Sequence, residues 1–207
     1  MRTKKFVANK TSVLVTAGRL IRKNAVVLVV LFLVVLGVIA VYSFKASSLK
    51  KMNNKASFAF SQAQDLADYQ NIVQNYPLSR VYVPALINMG SILSAEGKYD
   101  EAIHYLSKVV QNHKDSYLAP RALCDLGYVF VDKSDYKSAL ACFSGVIKDY
   151  RDAGWNNEAI YNVARCYELL GDKSQAGDIY KTILARSPGS EWYNDVKFRL
   201  RKLEEEQ

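Results

Sequence analysis

The chain reads G-K-Y-D-E-A-I at residues 97–103, S-D-Y-K-S-A-L at residues 134–140 and G-D-K-S-Q-A-G at residues 171–177. The alanines of these strings lie 37 residues apart, and so do several other sets of residues that match in size and polarity. Agreement in many columns at one offset indicates an internal repeat. The small residues that we expect at the helix-packing sites form two such columns: Ala102, Ala139 and Ala176, and Gly90, Gly127 and Ala164.

The apolar spacing within each repeat is typical of two helices. In the second repeat, an apolar face begins at Leu123, Ser134-Asp135 supplies a helix N-cap, and a second apolar face begins at Tyr136. Gly127 and Ala139 stand where the two antiparallel helices would cross, and their small size allows a close approach. The sequence therefore predicts an all-α solenoid of helical hairpins.

The repeat register also predicts where the array begins and ends. We expect three full units near residues 83–116, 120–153 and 157–190, with a half unit before them and a capping helix over 191–207. In the capping helix, Arg201 occupies the register position that glycine or alanine holds in the earlier units. Because a large charged side chain opposes close packing, we expect this helix to face solvent and end the array.

The N-terminal region has a different composition. Residues 25–44 contain no charge, and twenty helical residues at about 1.5 Å each span roughly 30 Å of hydrocarbon. Seven Lys or Arg residues precede this segment and four follow it before residue 56, which favours a cytoplasmic N-terminus. We therefore predict a basic cytoplasmic tail (1–24), a single transmembrane helix (25–44), a Lys-rich connector helix (45–59) and a repeat domain (60–207).

A cleaved signal peptide is the alternative interpretation of the same segment, since it too has a charged start and an apolar stretch. Twenty apolar residues exceed the usual apolar length of a signal peptide, and the one small-x-small match, Ala46-Ser47-Ser48, lies beyond Lys45. These features favour an uncleaved anchor. With a cytoplasmic N-terminus, the repeat domain would be extracytoplasmic, which in a bacterium means the periplasm.

The net charge of +8 belongs to the N-terminal region. Residues 1–55 carry 11 Lys or Arg and no acid, whereas the remaining 152 residues carry 17 basic and 20 acidic side chains. A nucleic-acid-binding domain needs its basic excess on the folded surface, so this distribution argues against a nucleic-acid partner.

The sequence lacks the patterns that carry enzymatic chemistry. It has neither a Gly-rich phosphate loop nor a Cys-x-x-Cys pair, and its two histidines, His104 and His113, stand near no acidic cluster. We therefore predict no catalytic residues, no metal and no cofactor. Cys124 and Cys142 fall on the two helices of one unit, which leaves two alternatives: a disulfide in an oxidising compartment, or small buried thiols.

The helix pairs, the matched small residues and the aromatic in the second helix resemble the tetratricopeptide repeat (TPR) family. Pro77 and Pro188 also fit the place where that family often has a proline after the second helix. The resemblance covers roughly residues 60–205. Two features depart from the family pattern: the period is 37 residues where TPR units have 34, and Val109, Val146 and Ile183 stand where a second small residue is usual.

The resemblance implies a protein-binding groove lined by the first helix of each unit. Asn88, Asp125 and Asn162 would face this groove 37 residues apart, and short polar side chains in register can hydrogen-bond an extended peptide. Tyr128 and Tyr161 would add apolar area. The alternative is that these side chains only solvate the groove. The complete set of predicted groove residues is Asn88, Arg121, Asp125, Tyr128, Tyr161, Asn162 and Arg165.

An anchor joined to a TPR domain of this size is similar to the bacterial inner-membrane proteins of the YfgM type, which are associated with the SecYEG translocation channel and periplasmic chaperones. This resemblance implies a non-enzymatic adaptor whose partners are translocon subunits, chaperones or envelope proteins. The string N-Y-P-L-S-R-V-Y at residues 75–82 is also similar to CpoB and BamD, which leaves an envelope-assembly or cell-division scaffold as an alternative. An organelle-anchored TPR receptor of inverted topology is a third. The oligomeric state stays open.

Overall fold

The structure is a computed structural model that describes residue 18 and residues 24–151, 154–186 and 192–205. Almost all of the predicted basic tail (1–24), the end of the third unit with Pro188, and the last two residues lie outside the described residues. The described helices are α1 (Ala25–Gln62), α2 (Leu66–Asn75), α3 (Tyr82–Ala95), α4 (Tyr99–Asn112), α5 (Ala119–Asp132), α6 (Tyr136–Asp149), α7 (Asn156–Leu169), α8 (Lys173–Arg186) and α9 (Tyr193–Glu205).

The described chain is all-helical and forms a solenoid, as the repeat predicts. From α2 to α9 each helix packs against the next one along the chain, and the first helices α3 and α5 also contact each other. Buried apolar residues form two clusters, one from Leu86 to Cys166 and one from Tyr161 to Leu203. In α9, Val196 and Leu203 are buried while Arg201 is exposed, so the charged register position faces solvent.

Helix α1 has two parts with different surroundings. The structure divides into two compact units, one ending at Lys51 and one beginning at Met52. Every residue from Ala25 to Phe44 is exposed. Among the described helices, α1 alone is long and apolar enough to cross a membrane, a property that signal sequences near an N-terminus share.

The end of α1 belongs to the second unit. Ala56 is fully buried, and the Asn53 side chain accepts a 2.9 Å hydrogen bond from the backbone N–H of Arg80. The Phe60 ring meets the Tyr69 ring of α2 edge-on at 5.6 Å. These contacts attach the last turns of α1 to the start of the solenoid.

The turns inside the three hairpins share one geometry. Gly97, Ser134 and Gly171 lie 37 residues apart and all have positive φ, at 73°, 59° and 84°. In the first hairpin, the Lys98 N–H donates to the Leu93 carbonyl at 2.8 Å, which closes the end of α3 in the manner of a left-handed C-terminal cap. Asp135 caps α6 by accepting a hydrogen bond from Ser138 N–H, whereas Ser134 belongs to the preceding turn.

Two glycines of the repeat lie under large side chains. A Cβ atom at Gly90 would be 2.6 Å from Leu106 Cγ, and one at Gly127 would be 2.7 Å from Phe143 Cζ. The Phe143 ring therefore fills the space over Gly127. The sequence predicted Ala139 as the residue opposite Gly127 and did not predict Phe143. Gly90, Gly127, Ala164, Ala102, Ala139 and Ala176 are all buried.

The three cysteines lie in the larger apolar cluster as free thiols. Burial raises the pKa of Cys124 and Cys142 to about 12 and that of Cys166 to about 11. Of the two alternatives for Cys124 and Cys142, the structure has small buried thiols.

Candidate protein-interaction groove

The groove residues fall on matching faces of successive first helices. Helix α5 presents Arg121, Asp125 and Tyr128 at spacings of four and three, so the three side chains share one face. Adding 37 gives Glu158, Asn162 and Arg165 on α7, and adding 37 again to the first two gives Asp195 and Arg199 on α9. Helix α9 therefore occupies the register of a fourth first helix.

A hydrogen-bond network joins α5 to α7. The Tyr128 hydroxyl donates to Glu158 Oε1 at 2.6 Å, and Asn162 Nδ2 donates to the Tyr128 oxygen at 2.7 Å and to the Glu158 carbonyl at 3.0 Å. Asn162 is only 2% exposed. Burial and the Glu158 carboxylate raise the pKa of Tyr128, so the phenol stays protonated and continues to donate. These bonds fix Tyr128 and Asn162 in the wall between the two helices.

A second polar cluster joins α7, α8 and α9. The Tyr161 hydroxyl donates to Asp195, which also accepts from Arg199 Nε at 2.7 Å. Arg199 Nη1 donates to Glu168 Oε2 at 3.2 Å, and that oxygen accepts a further 2.8 Å bond from the Tyr180 hydroxyl.

Aromatic and cationic groups cover this C-terminal end of the groove. The Trp192 ring stacks on Tyr161 with centroids 5.8 Å apart, and the Arg165 guanidinium lies 5.9 Å from the centre of the Tyr161 ring. Arg165 Nη1 also reaches Asn162 Oδ1 at 3.5 Å. Several polar groups here satisfy one another, but Arg165 Nε is buried without a hydrogen-bond partner.

Between α3 and α5 the groove instead contains a cavity of about 310 Å³. Asp125 lies on its wall, three-quarters buried, and the Asp125 Oδ2 atom is buried without a hydrogen-bond partner. The nearest cation is Arg121, whose Nε is 3.6 Å from that oxygen. Burial, opposed by Arg121 and reinforced by Glu158, raises the pKa of Asp125 to about 6. The remaining lining residues are Gly90, Ser91, Ser94, Ala95, Leu106, Tyr128, Val129 and Asp132.

The sequence matches the family model described as tetratricopeptide repeat twice, over residues 87–153 and 124–191. Together the two matches cover just over half of the 207-residue chain, and their starts lie 37 residues apart. The chain belongs to the tetratricopeptide repeat family. A search of curated proteins finds no significant match.

Several solved structures share the fold at low sequence identity. A TPR protein from Parabacteroides merdae superposes with a TM-score of 0.59 at 17% identity, covering 77% of this chain and 61% of its own, so this chain spans about three-fifths of that protein. MamA from Desulfovibrio magneticus gives 0.53 at 16% identity, covering 77% and 96% of the two chains. Pseudomonas aeruginosa pilF gives 0.51 at 15% identity, covering 73% and 66%.

Six of the seven predicted TPR groove residues lie in the contacts above. Arg121 pairs with Asp125, and Tyr128, Asn162, Arg165 and Tyr161 follow one another along the groove through direct contacts. Asn88 is half-buried on α3 and lies outside these contacts. Tyr161 and Asn162 are buried, so their side chains support the groove wall.

The sequence interpretation left out several residues of the groove. Ser91 and Asp132 line the cavity, and Glu158, Glu168, Asp195 and Arg199 complete the two polar clusters. The signal that leads to Asp195 and Arg199 is the 37-residue register carried past the third unit. The register does not identify Glu168, because the role of this residue depends on how α8 and α9 pack around it.

Proposed function

We propose that this chain is a membrane-tethered TPR adaptor that holds partner polypeptides near the extracytoplasmic face of the bacterial inner membrane. TPR repeats are protein-interaction scaffolds, and the groove along α3, α5 and α7 is the binding surface in this proposal. The observation that supports the tether is the run from Ala25 to Phe44, which is uncharged and exposed at every residue in a chain whose repeat domain has a buried core. Such a run is stable in lipid and costly in water.

The function of a tether is to raise effective concentration. A groove held beside a translocation channel meets emerging segments repeatedly, so weak intrinsic affinity is sufficient. The partners in this proposal are translocon subunits, periplasmic chaperones or envelope proteins in transit, and residues 1–24 are cytoplasmic. The adaptor is non-enzymatic in this proposal and needs neither metal nor cofactor.

In-cell photocrosslinking tests the partner class. A photoreactive residue replaces Ser91, which is exposed at the rim of the cavity, and in a matched control it replaces Asp178, which is exposed on the second helix α8. Translocon subunits, chaperones or exported proteins crosslinked from position 91 and not from position 178 would support the adaptor. Envelope-assembly components alone would favour a scaffold, and equal yields from both positions would count against groove binding.

Two measurements test the tether itself. Resistance to carbonate extraction, with a mass that still includes residues 1–44, is expected for an uncleaved anchor. Protease added to spheroplasts is expected to digest the repeat domain, because the charge bias of the flanks favours an extracytoplasmic repeat domain. A released, shortened protein would instead show that the apolar segment is a signal peptide.

A further inference from the structure

The cavity between α3 and α5 exists because the first unit carries small side chains at register positions that are large elsewhere. Ser91 stands where Tyr128 and Arg165 stand in the next two units. Ala95 likewise stands where α5 has Asp132 and α7 has Leu169. With Gly90 and Ser94, these residues leave an opening of about 310 Å³ against α5. Protein pockets for small ligands run from about 300 to 1,000 Å³, so this one suits a single side chain.

The walls of the cavity are partly apolar and partly acidic. Ala95 and the Tyr128 ring provide accessible apolar surface, whereas Leu106 and Val129 are themselves buried. The two charged residues that line it are both acidic: Asp125, largely buried, and Asp132, exposed. Among the described residues that line the cavity, none is basic.

Asp125 is an incompletely compensated carboxylate. Its buried Oδ2 makes no hydrogen bond within 3.5 Å, and Arg121 Nε forms an ion pair with that oxygen at 3.6 Å. From α7, Glu158 adds a second negative charge, and its Oε1 is occupied by the Tyr128 hydroxyl. Asp125 and Glu158 place two negative charges beside the single guanidinium of Arg121, so a further cation at the accessible part of the Asp125 carboxylate would be favoured.

We propose that this cavity binds one basic side chain, lysine or arginine, of a partner peptide that lies along the groove. The aliphatic part of that side chain packs on Ala95 and the Tyr128 ring, and its cationic end donates to the accessible part of the Asp125 carboxylate, with Asp132 at the exposed side. This assignment rests on the proposed function, because it names the chemistry that the groove selects.

Peptide selection by the full chain in lipid nanodiscs tests the assignment. The probe is a mixture of blocked nonapeptides whose central residue is lysine, arginine, norleucine or glutamate, with degenerate uncharged residues at the other positions. Norleucine has nearly the shape of lysine without its charge. Peptides retained by the immobilised protein are quantified by mass spectrometry, and lysine or arginine at the centre is expected to be enriched about tenfold over norleucine, as one charged hydrogen bond allows.

Three variants test whether the cavity causes the preference for a basic central residue. D125N removes the charge with little change of shape, and S91Y fills the cavity with the side chain that the next unit carries at the same register. Both are expected to abolish the preference for a basic centre while retaining the helical circular dichroism of the wild type. D178N makes the same Asp-to-Asn change at an exposed site outside the groove and is expected to keep the preference.

The outcomes separate this inference from the proposed function. Equal retention of norleucine and lysine peptides would overturn the basic-side-chain pocket and leave groove binding intact. A preference that survives both D125N and S91Y would also overturn the pocket, because the cation would bind elsewhere. Retention of no peptide of any kind would overturn both proposals.

Discussion

The two ends of the groove carry opposite charges at one shared register position, where α5 has Asp125 and α9 has Arg199. At the C-terminal end, Asp195 and Glu168 are joined by Arg199, and Trp192 covers Tyr161. At the end between α3 and α5, Ser91 leaves space and Asp125 keeps a buried oxygen without a hydrogen bond. The difference shows that a repeat fixes positions, while the side chains at those positions decide whether the groove is filled or open. In our proposal the open end binds the partner side chain, and the filled end contributes to stability.

Breaking the filled end should have the largest effect on stability. R199M leaves Asp195 and Glu168 without their shared cation and is expected to lower the free energy of unfolding by about 2 kcal/mol, between the values for exposed and buried pairs, because the three side chains are half-buried. Urea unfolding followed by tryptophan fluorescence measures this in the full chain, since Trp155 and Trp192 are its two tryptophans. K197M on the exposed face of α9 is the control. Equal losses in the two variants would mean that the cluster adds little.

Neutralising Asp125 at the open end should instead raise the free energy of unfolding. The pKa of Asp125 is raised from the ordinary 3.8 to about 6, so the folded state holds the proton more tightly and stability falls as pH rises between these values. Above pH 6 both states are ionised and the cost is fully present. D125N is therefore expected to be more stable than the wild type by about 2 kcal/mol at pH 7, with the advantage disappearing near pH 4. A pH-independent difference between the two proteins would contradict the buried-carboxylate explanation.

Alanine substitutions at two buried glycines test the packing of the core. G127A places a Cβ atom 2.7 Å from the buried Phe143 ring and is expected to cost about 1–2 kcal/mol after the gain in helix propensity. The matched control is G177A, whose Cβ would lie an ordinary 3.8 Å from Leu200 Cδ1. It is expected to stabilise the chain by about 0.5–1 kcal/mol. Urea midpoints compare the two, and F143L should relieve part of the G127A cost if the ring causes it.

The hairpin turns should give the smallest effects. G97A and G171A force a side chain into the left-handed region and are each expected to cost about 1 kcal/mol. S134G removes the same strain from the middle turn and should stabilise the chain by up to about 1 kcal/mol, reduced by the extra freedom of glycine when unfolded. Thermal unfolding of the three variants provides the test, and a destabilised S134G would show that the Ser134 side chain contributes to the turn.

Much of the fold was predictable from the sequence because it depends on local periodicity. The 37-residue step, the apolar spacing and the Asp135 cap all act within a hairpin or between neighbours, so all-α hairpins followed from the sequence, and the structure confirms them. Six of the seven predicted groove residues lie in the groove contacts for the same reason, since register assigns each to a face. Asn88 lies outside those contacts: the residue three positions after it is Ser91, whereas the residue three positions after Asn162 is Arg165, which contacts Asn162.

What the sequence determined by itself is the identity of each register position, including the apolar run at 25–44 and the charge bias around it. Only the tertiary structure decided which side chains meet across helices. Phe143 over Gly127, Arg199 between Asp195 and Glu168, and the missing hydrogen bond at Asp125 all depend on angles and distances between helices. Those arise from packing the whole array, because close-packed interiors leave each side chain one place to lie.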